Sequence, residues 1–333
     1  MSAGVDILEN IILQRDPTLL NILLLDHSRP KHGKIISHII WATDNYEHID
    51  SNLYGENTAI TIGAITGKNG DIIQPRVKKT KAEQQSRARD KGEVFTPSWI
   101  CNCQNNLVDN EWLGYSGSFN EETKEGWKTN YNPIKFPTSD GRLWQDYVKD
   151  IRLEITCGEA PYIASRYDTI SGEMIPVKDR IGLLDRKLRV IAENTSLREE
   201  WFEWVLMAYK SIYAYEWQGD NLLLARENAL FTFIDYYEDK FCDESSPSME
   251  QIRMIAEIIS WNFWQMDGLK GVVPNSCFEK TEESTDLFGE PEITTTKCEG
   301  CDKNDLNKHN GIYCKIMDWE KGKAVRYIDL INH

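Results

Sequence analysis

Three short stretches of the chain set acidic side chains beside glycines: Glu154-Ile155-Thr156-Cys157-Gly158, Glu216-Trp217-Gln218-Gly219-Asp220 and Gln265-Met266-Asp267-Gly268. Together they suit a nucleoside-containing ligand. A glycine turn lets the backbone approach closely, one carboxylate accepts from ribose hydroxyls, and another accepts from an adenine amine. A second group offers different chemistry. Cys277, Cys298, Cys301 and Cys314 contain one Cys-x-x-Cys pair, the spacing of a chelating knuckle, and four thiolates suffice for a structural zinc ion, with His309 as a substitute ligand. Unligated thiols are the alternative, since eight cysteines without a secretory signal read as reduced rather than as a disulfide frame. Cys157 reads as a small packing residue, because no histidine lies near it in sequence to make it the reactive thiolate.

The acidic turns need strands to present them. Residues 150–155 alternate and end in the first turn, residues 213–216 precede the second, and residues 262–265 precede the third. Between them the spacing predicts helices: 187–193, a run starting at Ser196 with Trp201, Trp204, Val205, Ala208 and Ile212 on one face, then 221–237, and 248–259 behind a serine cap. Strands alternating with helices imply a parallel sheet covered by helices on both faces, with ligands at the C-terminal strand ends. The tryptophans at 201, 204, 217, 261 and 264 read as core. Residues 1–90 form an α+β extension, 92–144 a loop-rich segment with helix only after Pro97, and 275–333 a Cys-containing tail.

With 333 residues, 41% hydrophobic, the chain can bury one large core with appended structure. No apolar run is long enough for a membrane span, and a cytoplasmic protein is expected. A net charge of −15 argues against coating nucleic acid by bulk electrostatics. DNA contact would be local, and the basic run Arg76, Lys78, Lys79, Lys81, Arg87, Arg89 and Lys91 is the candidate; a solvated polar segment is the alternative. His27 and His32, near Arg29 and Lys31, are assigned no function.

Just after the basic run, Gly92-Glu93-Val94-Phe95-Thr96-Pro97 resembles the phenylalanine-containing motif that opens the catalytic domain of adenine-specific DNA methyltransferases of restriction-modification systems. Residues 154–163 resemble that family's acidic-Pro-Ala-Cys-Gly-Ser-Gly-aromatic loop at Glu154, Cys157, Gly158 and Tyr162, and depart from it at Glu159 and Ala160. Tyr215-Glu216, followed by Ala225-Arg226-Glu227-Asn228-Ala229-Leu230, resembles the next motif, and Asp267 the one after. The order and spacing agree over about residues 92–269.

The resemblance implies an open, mostly parallel sheet of the S-adenosylmethionine-dependent methyltransferase type over 91–274. It implies that Phe95, Thr96, Pro97, Glu154, Cys157, Gly158, Glu216 and Asp267 bind the cofactor, with Glu216 at the ribose and Asp267 at the adenine. DNA is the implied partner. The family's catalytic Asn-Pro-Pro-Tyr is absent; Val273-Pro274-Asn275-Ser276 has similar letters in another order. Those groups draw the adenine amine out of the ring plane and stack the flipped base. Residues 316–330 resemble the segment before the catalytic strand. Two expectations follow: a second polypeptide completes the site, or the chain is a non-catalytic subunit that binds cofactor or DNA. A generic nucleotide-binding enzyme is a third reading, against which stands the lack of a G-x-G-x-x-G turn.

Overall fold

The computed structural model describes residues 5, 9–29, 37–242, 246–285 and 291–331. His32 and Lys31 lie outside them. Nine strands are present among the described residues, and three carry the architecture: β3 (Arg152–Glu154), β4 (Ile212–Glu216) and β5 (Phe263–Gln265) pair in parallel, in the order β3-β4-β5. The others form antiparallel hairpins: β1 (Asn120–Thr123) with β2 (Gly126–Thr129), β6 (Lys280–Thr285) with β7 (Pro291–Thr296), and β8 (Lys315–Asp318) with β9 (Lys323–Arg326). The molecule is thus a mixed α/β structure around a small open parallel sheet.

Alternation along β4 divides the sheet into two faces. Ile212 and Ala214, with Phe263 of β5, join the main core, where the helices Gly219–Phe241 and Met249–Asn262 pack. Tyr215 and Trp264 face the other way, against Ile316 and Val325 of the β8–β9 hairpin and Tyr327 just after it. The expectation of helices on both faces is therefore corrected, because on this second side an antiparallel hairpin supplies the apolar cover. The helix Gly219–Phe241 buries residues on every side, including Arg226, since sheet, helix Met249–Asn262 and the N-terminal helices surround it.

Described residues before residue 91 share this core. Leu19, Leu20, Leu23 and Leu24 of the helix Pro17–Leu24 are fully buried in the same cluster as Phe263. The Gln265 side chain bonds the backbone of Ile40 in both directions, at 2.9 and 2.8 Å, much as a neighbouring strand would. Gly219 allows this approach, because a Cβ there would lie 2.0 Å from the Ile40 carbonyl oxygen. At the opposite end of the strands, Lys187 donates to the carbonyls of Val148 and Asp150 and to Ser211 Oγ, joining the starts of β3 and β4. Burial drives its ammonium well below the ordinary lysine range. Among the described residues no helix is long and apolar enough to cross a membrane.

Candidate functional site

A cavity of about 1000 Å³ opens at the C-terminal ends of β3 and β4. Its lining brings together six of the eight residues expected to bind a cofactor: Phe95, Thr96, Glu154, Cys157, Gly158 and Glu216. Pro97 does not line it; it precedes the helix Ser98–Leu113, whose first N–H, at Ser98, donates to Asp168 at 2.7 Å. Asp267 does not line it either. After β5 the chain folds back at once, and the Asp267 carboxylate closes that turn by accepting from Leu269 N and pairing with Lys270 Nζ at 3.1 Å.

The loop after β3 is strained. Thr156, Gly158 and Ala160 all adopt positive φ, at 46, 54 and 60°. A β-branched residue in the left-handed region is disfavoured by roughly 1–2 kcal/mol, and such conformations persist only where the surroundings enforce them. Here Cys157 N donates to the Tyr215 carbonyl, extending the sheet, while Gly158 N donates to Glu216 Oε2 at 2.8 Å. The Phe95 ring covers Gly158, and the Arg76 guanidinium lies over that ring at 5.3 Å. Glu159, a departure from the family pattern, is a buried tie: it accepts from Arg76 N at 2.7 Å and from Tyr167 OH.

Two buried carboxyls face the cavity. Glu216 accepts from Gly158 N and Gln218 N, yet burial still raises it above the ordinary carboxylate value. Glu154 accepts from Tyr162 N through Oε1, while its Oε2 is buried without a partner. Burial, with repulsion from Glu216, pushes Glu154 well up. Asn221, which sequence reasoning missed, also lines the cavity and has a buried Oδ1 without a partner. Its position in the first turn of a helix after an acidic strand end was the available signal. The N-terminal stretch adds Ala42, Thr43, Asp44 and Glu56 to the wall, which no local motif announced. The lining holds five carboxyl groups, at Asp44, Glu56, Glu93, Glu154 and Glu216, and one ammonium, at Lys91.

The basic run is partly turned inward. Arg87 is buried, donating to Glu93 Oε2 at 2.5 Å and Asp220 Oδ2 at 2.7 Å, and Lys79 Nζ is buried 3.9 Å from Asp220. Tyr46 OH also donates to Asp220, at 2.8 Å. Burial alone would raise Asp220, but the Arg87 and Lys79 charges prevail and bring it down to about 2. The network fixes Glu93 and hence the approach of Val94-Phe95-Thr96. Of the other basic residues, Arg89 pairs with Asp90 and Lys91 with Asp44.

A separate cluster lies near the C-terminus, where Cys277, Cys298, Cys301 and His309 place their ligand atoms within 4.8 Å of one another. This Cys3His set can hold a metal ion such as zinc. Cys314 lies outside it; its thiol is buried under the β8–β9 hairpin and meets the Gln265 carbonyl at 3.2 Å, so His309 takes the fourth place. No family model, curated protein or solved structure matches the chain.

Proposed function

We propose that this chain is the S-adenosylmethionine-binding part of a DNA adenine methyltransferase, the modification component of a restriction-modification system. The observation that carries the reading is the cavity at the strand ends, where six residues of the family's cofactor motifs meet in an acidic lining. That cofactor supplies a methyl group on a sulfonium and also bears an ammonium. The lining offers such cations carboxyl groups at Glu56, Glu154 and Glu216, while its one ammonium, Lys91, is already paired with Asp44 and Glu93 with Arg87. A dinucleotide or nucleoside triphosphate, with its anionic phosphates, suits the same wall poorly. Glu216 would accept from the ribose hydroxyls, Phe95 would cover the ligand beside Gly158, and the unpartnered Glu154 Oε2 would accept from a cationic donor. The parallel order β3-β4-β5 is read as part of the open sheet of such enzymes.

The residues named here bind and align; none of them is an acceptor for the adenine amine. DNA, and a polypeptide carrying Asn-Pro-Pro-Tyr, are the partners this reading requires. Titration calorimetry of S-adenosylmethionine into the folded chain, beside Glu216→Ala, tests it. Binding that the substitution weakens supports the reading. No binding by the folded wild-type chain overturns it, and tighter binding of a dinucleotide would favour the nucleotide-enzyme alternative.

A further inference from the structure

We propose that Cys277, Cys298, Cys301 and His309, the last through Nδ1, hold one structural zinc ion that fastens the segments carrying them, residues 277–279 and 297–311, to one another beside the end of β5. The distances fit a single tetrahedral ion. His309 Nδ1 lies 3.6 Å from Cys277 Sγ, 3.7 Å from Cys298 Sγ and 3.6 Å from Cys301 Sγ. Zinc–sulfur bonds of about 2.3 Å and zinc–nitrogen bonds of about 2.0–2.1 Å at a tetrahedral angle separate sulfur from nitrogen by about 3.6 Å. Four protein ligands leave no open coordination position, which marks a structural rather than a catalytic site.

The surroundings are shaped for the cluster. Asn310 N–H points at Cys298 Sγ at 3.3 Å, a contact that favours the thiolate form of the ligand. Two glycines give the ligands room: a Cβ at Gly300 would come within 2.7 Å of the His309 ring, and one at Gly311 within 3.0 Å of Cys277 Sγ.

Burial shows what the ion would do. Among residues 277–281 and 295–311, whose side chains are described, Cys298, Gly300 and His309 are the buried ones, so the described part of this stretch shows no apolar core. A segment without such a core depends on cross-links or a metal for its fold. Its ends are already tied to the sheet region: Val273 N donates to the Ile312 carbonyl, Cys314 N to the Gly271 carbonyl, and Val272 bridges both Asp267 and Tyr313. The ion would complete that attachment and set where β8 begins, three residues after Ile312.

The test is metal analysis of the full chain purified without added chelator, with Cys298→Ser, Cys301→Ser and Cys314→Ser beside it. About one equivalent of zinc is expected in the wild type and in Cys314→Ser, and at least a tenfold loss in the other two. Cobalt substitution of the wild-type chain avoids reliance on variants that fold poorly, and should give intense visible bands of tetrahedral cobalt together with thiolate charge-transfer bands in the near ultraviolet. Wild-type protein free of metal after growth in zinc, an octahedral cobalt spectrum, or zinc lost from Cys314→Ser but kept in Cys298→Ser would overturn the assignment. These readouts do not depend on S-adenosylmethionine binding, so the two proposals fail separately.

Discussion

The cavity and the thiol cluster are built by opposite means. Phe95, Glu154, Glu216 and Asn221 come from distant parts of the chain. Glu216 and Asn221 stand on β4 and the helix Gly219–Phe241, both rooted in the main hydrophobic core, while Glu154 is held through the pairing of β3 with β4 and Phe95 by its packing over Gly158. Cys277, Cys298, Cys301 and His309 come from one stretch in which no large apolar side chain is buried among the described residues. In the first region burial positions the polar groups; in the second the polar groups themselves must do the holding. The cavity should therefore respond to changes in the fold around it, and the cluster to metal supply.

The sharpest test of that contrast is Arg87→Ala, which leaves Asp220 and Glu93 without their buried partner. A loss of about 3–5 kcal/mol in urea unfolding is expected, the scale for breaking a buried ion pair. Metal content should be unchanged; joint loss of metal would mean the two regions behave as one unit. Next in size, Glu216→Ala should weaken S-adenosylmethionine by about tenfold, or ~1.4 kcal/mol, the scale of a hydrogen bond to a charged group. Calorimetry checks this while zinc content serves as the internal control.

Acidity separates carboxylates within the first region. Asp220 is depressed to about 2 from 3.8, so its contribution to stability is present above about 3.8 and is lost as pH falls through 2. Glu154 is raised from 4.5, so its contribution is present below 4.5 and is lost as pH rises through its folded value. Asp220→Asn should flatten the acid limb of a stability–pH profile, and Glu154→Gln the limb above pH 4.5. A cation bound at Glu154 should also release protons, visible as binding enthalpy that depends on the buffer. The smallest effect expected is from Thr156→Gly: relief of the left-handed strain, partly offset by unfolded-chain entropy, should raise stability by about 0.5–1 kcal/mol in thermal unfolding.

Much of the parallel scaffold was legible because its signals are local and periodic. Residues 150–155, 213–216 and 262–265 become β3, β4 and β5, and the helix read at 221–237 runs over Gly219–Phe241. Tertiary decisions were not legible. Spacing alone could not show that Arg87 and Lys79 turn inward, because pairing with Asp220 depends on how the helix Lys81–Lys91 docks. The ligand exchange between Cys314 and His309 is of the same kind: Cys-x-x-Cys names the knuckle, but the remaining ligands are chosen by how the chain returns to it. Asp267 was placed by motif order, yet the tight turn at Gly268 takes its carboxylate for the backbone.

Arg226 gives the N-terminal helices a significance beyond packing. Its guanidinium is buried and donates to the carbonyls of Leu23, Leu25, Ser260 and Phe263, with burial lowering it to about 10. Half of those acceptors belong to the first thirty residues. A fragment starting at residue 91 would carry a cation in its interior with two carbonyls missing, a cost of several kcal/mol by the scale for uncompensated buried charge. The boundary at residue 90 that composition suggests is thus no place to divide the protein: the segment before it is a non-covalent counterpart of the sheet, and supplied separately as a peptide it should restore folding to the remainder.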